Sequence, residues 1–248
     1  TGRPSGGAVM AAPARPRAGA LLEVDGLTLR RRSAVVLDRV SLSLRPGHIV
    51  ALMGANGSGK TTLMKTVAGV LAGYEGRVAI DGSAPGARTK GIVSYLPDAP
   101  FLDPATTPER AVGMYDHFFA DFDRAKAGEL VERFGLRERQ PVREMSKGMR
   151  EKLHIALVMS RRARLFLLDE PLSGVDPVAR RVVLEEVVRD FAPDALMVIA
   201  THLIGDVEAV ADRAAFMDAG RIVFEGDADD LRAERGAFLE EIFRGELR

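Results

Sequence analysis

The sequence predicts an α/β fold with a parallel sheet at its core, preceded by antiparallel strands and interrupted by a helical segment. Apolar runs of strand length alternate with helical patterns over much of the 248-residue chain, which is an order typical of parallel sheets. Residues 49–53 form one such run, followed by a glycine-rich loop and a helical pattern. With 46% hydrophobic residues, the chain can also build one large core.

Composition and charge narrow the classes of function. The 35 Lys and Arg residues balance the 35 Asp and Glu residues, so net charge gives no argument for a nucleic-acid partner, and we expect none. The absence of Cys fits a reducing compartment. No apolar run approaches the roughly 18 residues of a membrane span, so a role at a membrane would require a partner protein.

The composition and the periodicity of the sequence change at residue 21. Residues 1–20 are rich in Gly, Ala, Pro and Arg without periodicity, which is typical of a disordered tail or an expression remnant. Short strands are predicted at 21–24 and 28–31, and a third at 40–44, where polar and apolar residues alternate before the turn at 46–47. This alternation predicts an antiparallel sheet with one solvated face.

Strands and helices then alternate within a single predicted unit, 21–248. Thr107 and Pro108 mark the start of one helix, and a second ends before Gly135. We expect residues 99–160 to form a helical insert subdomain. The remaining predicted elements are strands 77–80, 92–95, 165–169, 196–201, 214–218 and 221–225, the helix 177–191, and a helix from about residue 228.

The loop after the first apolar run matches G-x-x-x-x-G-K-[ST], in which backbone N–H groups and the lysine cradle the phosphates of a nucleotide. The hydroxyl that follows the lysine ligates Mg²⁺, and the helix N-terminus behind the loop attracts anions. A flexible Gly/Ser turn is the alternative, which the flanking strand and helix disfavour. We call this segment the phosphate loop, and it comprises Gly54, Ala55, Asn56, Gly57, Ser58, Gly59, Lys60, Thr61 and Thr62.

Two acidic residues end the strand predicted at 165–169. Asp169 is expected at the carboxyl edge of the sheet, where ligands of open α/β sheets bind, and close enough to Thr61 to bind the same Mg²⁺. Glu170 would then face the γ-phosphate and orient the attacking water. Taken alone, the pair also fits a solvated acidic turn at the end of a strand.

Two single residues become candidates through their position. His202 ends the strand predicted at 196–201, beside the phosphate loop, where a neutral imidazole can hydrogen-bond the γ-phosphate or the water. Ser146 is predicted to cap a helix, so its hydroxyl and the helix N-terminus form a second anion site. Each has a commoner explanation, namely a structural histidine and an ordinary helix cap.

Together these motifs make the chain similar to the ATP-binding subunit of an ATP-binding cassette (ABC) transporter, from about residue 21 onward. The order of the phosphate loop, the segment around Ser146, Asp169-Glu170, the loop 172–176 and His202 carries the resemblance. It implies a P-loop NTPase with a RecA-like parallel core, an N-terminal antiparallel β subdomain and a helical insert. It also implies ATP and Mg²⁺ as cofactors.

The resemblance further implies how the subunit works. Two cassettes, identical or related, would pair head to tail and drive separate, export-type membrane subunits from the inner face of the cell membrane. It assigns roles to several residues: Lys60, Glu170 and His202 in catalysis, Thr61 and Asp169 at Mg²⁺, Ser146, Lys147 and Gly148 at the nucleotide of the partner chain, and Asp176 in communication across the dimer.

Three positions depart from the family pattern. The signature segment, residues 145–149, reads Met-Ser-Lys-Gly-Met rather than Leu-Ser-Gly-Gly-Gln, and Lys147 either adds charge near the phosphates or points to solvent. Asp98 replaces the usual Gln; it can ligate Mg²⁺ directly or through water but cannot donate a hydrogen bond while ionised. Arg31 replaces the aromatic residue that commonly stacks on adenine, and its guanidinium plane can stack on a base.

Two other classes of protein share parts of this site. A soluble ABC ATPase acting on nucleic acid or ribosomes has the same motifs, although such proteins usually carry a coiled coil, extra domains or two cassettes in one chain. A P-loop kinase would not account for Ser146, Gly148 and Asp176. The transported substrate and the direction of transport stay open.

Overall fold

Two sheets organise the computed structural model, which describes residues 19–189 and 191–246. The strands of these residues are β1 (Leu22–Arg31), β2 (Ala34–Leu44), β3 (His48–Met53), β4 (Glu75–Ile80), β5 (Val93–Leu96), β6 (Leu165–Asp169), β7 (Leu196–Thr201), β8 (Arg213–Asp218) and β9 (Arg221–Asp227). One sheet has the order β2-β1-β4 and is antiparallel. The other has the order β5-β6-β7-β3-β8-β9 and is parallel except at β9. The predicted α/β fold with an antiparallel N-terminal sheet is therefore confirmed.

Helices connect and cover these strands. They are α1 (Lys60–Val67), α2 (Ala87–Lys90), α3 (Pro108–Phe118), α4 (Arg124–Arg133), α5 (Lys147–Met159), α6 (Pro177–Arg189), α7 (Ile204–Val207), α8 (Ala228–Arg235) and α9 (Leu239–Glu246). Three of them, α3 to α5, lie between β5 and β6, where the sequence predicts the helical insert. Within the described part of the chain, no helix combines the length and the apolar character needed to cross a membrane.

The strand bounds differ from the prediction in the N-terminal sheet. The strands predicted at 21–24 and 28–31 are one continuous strand, β1, and the strand predicted at 40–44 already begins at Ala34. β1 is continuous because β2 and β4 pair with it on both sides, and shifts in register near Gly26 accommodate the turn-forming residues there. Residues 1–18, and with them nearly all of the predicted tail 1–20, lie outside the described residues.

The parallel strands are mostly apolar because both of their faces are covered. Every residue of β6 and β7 is buried. Ala51 and Met53 of β3 face the core that includes the helical insert, whereas Val50 and Leu52 face α1 and the antiparallel sheet. The strand that leads into the phosphate loop is therefore held rigidly from both sides.

The register of the parallel sheet brings the predicted site residues to one edge. Met53, the last residue of β3, pairs with Thr201 of β7, and Asp169 of β6 pairs with Ala200. The carboxyl ends of these three strands are consequently level, so the phosphate loop, Glu170 and His202 follow them at the same place.

Candidate functional site

The phosphate loop requires glycine for steric reasons at two positions. A Cβ on Gly54 would lie 2.4 Å from the carbonyl oxygen of Met217 and 2.5 Å from the hydroxyl of Ser58. Gly59 caps α1 with φ 109°, a left-handed conformation that favours glycine. These residues let the backbone curl tightly in front of the α1 N-terminus, so its N–H groups form a concave anion site.

Lys60 lies beneath this loop rather than in solvent. Its side chain is only 6% exposed, and its Nζ donates to the carbonyls of Gly54 at 2.7 Å and Ala55 at 3.2 Å. Burial lowers the pKa of Lys60, against the nearby carboxylates of Glu170 and Asp169, which raise it. The ammonium is thus held at the loop by two carbonyls and a carboxylate 3.8 Å away, that of Glu170.

Asp169 and Thr61 are brought together as the sequence predicts. The Thr61 hydroxyl donates to Oδ1 of Asp169 at 3.1 Å, and Asp169 is 1% exposed. Burial raises the pKa of Asp169 to about 6, against the Thr61 hydrogen bond, and the charge of Asp98 also raises it. The other carboxylate oxygen, Oδ2, is buried without a hydrogen-bond partner.

These two side chains fit a Mg²⁺ ion that is completed by other ligands. A buried carboxylate oxygen without a partner beside a hydroxyl is a suitable pair of oxygen donors. Among the described residues, no group of three or more His, Cys, Asp or Glu side chains could hold a metal ion. Mg²⁺ commonly keeps several waters and binds substrate phosphates, so an incomplete protein shell is what this ion accepts.

Glu170 is fixed by the strand next to it. Its Oε2 accepts from the Thr201 hydroxyl at 3.1 Å and lies 2.9 Å from Nδ1 of His202, while Oε1 accepts from the His202 N–H at 3.1 Å. The backbone of Glu170 has φ 51°, which is uncommon for a residue with a side chain. His202 is 41% exposed, so its ring reaches the open side of the site. Thr201 is a contact that the sequence prediction missed.

Asp98 lies near the same carboxylates, across a cavity of about 130 Å³ that Asp98, Asp169 and Glu170 help to line. Beside it, Tyr95 was also missed by the sequence prediction. The buried Tyr95 hydroxyl lies beside the Asp169 carboxylate without a hydrogen bond of good geometry, and burial and the charge of Asp169 raise its pKa. Its position two residues before the Pro97-Asp98 turn, on a strand beside β6, is the signal that could have identified it.

The signature segment begins α5 rather than following a strand of the sheet. Ser146 caps α5, where its hydroxyl accepts from the Met149 N–H at 3.2 Å. None of the hydrogen bonds among the described residues joins Ser146 to the phosphate loop. Lys147 is 63% exposed and donates to the Ser173 hydroxyl at 3.3 Å. Its ammonium therefore contacts the loop 172–176 and not the phosphate loop of this chain.

The other two predicted residues lie at the borders of the site. Asp176 caps α6, because its Oδ1 accepts from the Ala179 N–H at 3.0 Å, and its side chain is exposed. Arg31 is the last residue of β1, exposed and opposite Ala34. The β1–β2 hairpin passes beside the phosphate loop, since Val36 and Leu37 limit the space at Gly59.

Comparison with known proteins agrees with these motifs. The family model described as ABC transporter matches residues 37–173, more than half of the chain. The chain is 32% identical to the ABC transporter ATP-binding protein YtrB of Bacillus subtilis, with 80% of this chain and 69% of that protein covered. It is also 32% identical to the daunorubicin resistance ATP-binding protein DrrA3 of Streptomyces coeruleorubidus, with 87% and 71% covered.

A solved structure has the same fold as this chain over nearly its whole length. The structure described as the ATP-binding subunit of an ABC transporter superimposes with a TM-score of 0.82 at 28% identity. The match covers 92% of this chain and 100% of that one.

Proposed function

Because this chain belongs to the ABC transporter family, as an ATP-binding subunit that hydrolyses ATP to power transport, we propose that it works as one half of a head-to-tail pair of cassettes. In such a pair, ATP lies between the phosphate loop of one chain and the signature segment of the other. The observation that carries the proposal is that Lys60 and Thr61 converge with Asp169 and Glu170, while Ser146 caps a different helix, α5, and has no hydrogen bond to any of them among the described residues. A single chain thus supplies two separate anion sites.

The residues of the phosphate loop bind and orient the nucleotide in this proposal. Residues 54–62 surround the phosphates with backbone N–H groups, and Lys60 exchanges its two carbonyl contacts for phosphate oxygens. Thr61 and Asp169 hold Mg²⁺, which when bound neutralises charge on the phosphates. Arg31, exposed at the end of β1, stacks on the base.

Glu170 and His202 prepare the attacking water. The Thr201 hydroxyl and the His202 N–H already hold the Glu170 carboxylate, so it can align a water with the γ-phosphate at little further cost in entropy. The Nδ1–H of the His202 ring donates to the same carboxylate, and the ring reaches the open side of the site. Lys60 stabilises the charge that develops on the phosphoryl oxygens.

The remaining assignments concern partners. The nucleotide held by a second cassette is contacted by Ser146, Lys147 and Gly148. Asp176 takes part in communication between the two cassettes of the dimer. Asp98 would ligate Mg²⁺ directly or through water, and it links the site to separate transmembrane permease subunits, which hold this chain at the inner face of the cell membrane. The similarity to a daunorubicin resistance protein supports an export-type transporter.

Glu170→Gln tests the proposed mechanism. The carboxamide keeps the shape of Glu170 but cannot act as the base, so ATP binding should persist while turnover falls by about 10² to 10³. The trapped ATP should hold a closed dimer, measured as a doubled mass in size-exclusion chromatography with light scattering. Glu185→Gln, an exposed carboxylate on α6, is the matched control and should behave as wild type.

Two results would count against the proposal. Wild-type turnover in Glu170→Gln would show that Glu170 is not catalytic. A protein that stays monomeric at saturating MgATP would contradict a nucleotide site shared by two chains. Affinity capture from membranes then separates the partner classes, because a permease subunit supports transport, whereas ribosomes or DNA would support the alternative soluble ATPase.

A further inference from the structure

Glu151 joins the signature segment to the loop 172–176 of its own chain. It lies on α5, one helical turn after Lys147, and its side chain is only 16% exposed. Its Oε2 accepts from the backbone N–H of Gly174 at 2.6 Å, and its Oε1 accepts from the Ser173 hydroxyl at 3.3 Å. One carboxylate therefore holds two successive residues of the loop.

Lys147 completes this contact from the other side. Its Nζ lies 3.7 Å from Oε1 of Glu151 and donates to the Ser173 hydroxyl at 3.3 Å. A cation in the first turn of a helix is unfavourable, because the N-terminal end of the helix dipole is positive. Pairing with Glu151 draws the ammonium of Lys147 toward the loop and offsets this repulsion.

The backbones of the two segments are also in close contact. A Cβ on Gly174 would lie 2.3 Å from Oε1 of Glu151 and 2.5 Å from Cγ of Lys147. A Cβ on Gly148 would lie 3.0 Å from the carbonyl oxygen of Gly174. The contact is thus as tight as two glycines allow, and it fixes the position of the loop relative to α5.

The loop that Glu151 holds lies between two residues of the proposed mechanism. It begins after Glu170, whose carbonyl accepts from the Ser173 N–H at 3.2 Å, and it ends at Asp176, which caps α6. The other end of the contact is the first turn of α5, which Ser146 caps. Glu151 therefore connects the part of the chain that would contact the partner's nucleotide with the part that carries Glu170.

On the basis of the proposed function, we propose that Glu151 is a positioning residue for ATP hydrolysis. Its carboxylate fixes the loop 172–176 to the N-terminal part of α5, so that Ser146 and Asp176 approach the partner cassette as one rigid surface. A hydrogen bond from an N–H to an ionised carboxylate is short and strong, which suits a contact that must keep its geometry when the dimer closes. Without it, each segment would have to be ordered separately during closure, at a cost in entropy.

The test compares Glu151→Ala and Glu151→Gln with Glu186→Ala in the full chain. Glu186 is a matched control because it is similarly buried, at 10% exposed, and pairs with Arg133 of α4 and Arg189 of α6 rather than with the loop 172–176. All three variants are measured for thermal stability, for amide hydrogen exchange of residues 172–176 without nucleotide, and for kcat and KM of ATP hydrolysis.

Glu151→Ala should exchange faster over residues 172–176 and lose about 10- to 100-fold in kcat, because misplaced groups are costly in catalysis. Its KM should change by no more than about twofold, since the phosphate loop that binds ATP is intact. Glu151→Gln keeps an oxygen for the Gly174 N–H and should recover most of the kcat. Glu186→Ala should lower thermal stability but leave exchange of the loop and kcat unchanged.

The outcomes separate this inference from the proposed function. If Glu151→Ala matches the kcat of an active wild-type protein, the positioning role is wrong while the proposed function stands. If Glu186→Ala lowers kcat as much as Glu151→Ala does, the effect is one of stability alone and the inference is also wrong. Should Glu151→Ala fail to fold, unchanged exchange of residues 172–176 in Glu151→Gln together with reduced kcat would equally contradict it.

Discussion

Asp169 shows how a single residue acquires its chemistry from burial. The carboxylate is 1% exposed, and only one of its oxygens has a hydrogen-bond partner. A buried oxygen of this kind is costly unless something binds to it. Asp98 adds a second negative charge near it, so the local field favours a cation. Asp98 therefore lies where its charge acts on this carboxylate.

Asp98→Gln should weaken the affinity for the Mg²⁺ that supports turnover. The substitution removes a negative charge near Asp169, so about twofold to tenfold more Mg²⁺ should be needed for half-maximal phosphate release, an effect of about 0.4–1.4 kcal/mol. Turnover in the presence of the membrane partner should also change. Asp103→Asn, a substitution on the same connection beyond the cavity lining, is the control. If the Mg²⁺ requirement and the stimulation of turnover by the membrane partner are both unchanged, Asp98 has no role at the site.

Gly54→Ala should abolish tight nucleotide binding. The new Cβ would lie 2.4 Å from a backbone carbonyl, that of Met217, which cannot move aside as a flexible side chain could. The phosphate loop must then open, so its N–H groups no longer point at the same phosphate position. Binding of a fluorescent ATP analogue should weaken by at least about 100-fold, a loss of about 2.7 kcal/mol.

Gly113→Ala is the control for this substitution. Gly113 lies within α3, where a Cβ would meet nothing within 4 Å. Alanine there should stabilise the protein by about 0.5–1 kcal/mol and leave binding of the analogue unchanged. Normal affinity in Gly54→Ala would mean that the loop tolerates a side chain and that its tight geometry is not required.

At the scale of elements, α5 connects the proposed partner surface to the sheet. Ser146 caps its N-terminus, Glu151 lies one turn into the helix, and just beyond its end lies Arg161. The guanidinium of Arg161 is 5% exposed, pairs with Asp121, donates to the carbonyl of Val93 and lies 4.2 Å from the ring centre of Phe119. A displacement at the start of α5 can therefore reach β5 and the helical insert through a rigid helix.

Ser146→Ala should show that Ser146 contacts the partner's nucleotide in addition to capping α5. Removing an N-cap hydroxyl costs about 1 kcal/mol of stability, measured by urea unfolding. Thr107→Ala removes a similar cap at the start of α3, where the hydroxyl accepts from the Arg110 N–H, and should cost about as much. Only Ser146→Ala should also reduce ATP-dependent dimerisation and turnover. Equal activity in the two variants would make Ser146 an ordinary helix cap.

At the scale of the whole molecule, the two anion sites of one chain face different nucleotides in the proposed dimer. ATP should then stabilise the protein in two ways. Binding to one chain adds about 2.7 kcal/mol at a ligand concentration of 100 times Kd. Dimer formation adds a further contribution that depends on protein concentration.

Thermal unfolding of Glu170→Gln measures this second contribution. Without nucleotide, Tm should be independent of protein concentration, whereas with saturating MgATP it should rise as protein concentration is raised. Wild-type protein with MgADP is the control and should show stabilisation without the concentration dependence. A Tm in MgATP that does not depend on protein concentration would contradict the shared site.

Most of the fold and the centre of the site follow from local patterns in the sequence. The phosphate loop, the strand ending at Asp169 and the helix capped by Ser146 are each encoded within about ten neighbouring residues. Their glycines, apolar runs and caps act through backbone sterics, burial and short-range hydrogen bonds, which is why the predicted elements are present. The split of β1 is wrong because pairing on both of its sides outweighs the local turn residues.

The tertiary structure alone decided which distant side chains meet. Glu170 contacts Thr201 and His202 because β6 and β7 pair with level ends, and Glu151 contacts Gly174 because α5 packs against the loop after β6. Each pair is separated by more than 20 residues. Its energy depends on register and packing between elements rather than on the residues beside it in the chain. The sequence therefore determined which groups the site contains, and the pairing of strands and helices determined how those groups are held.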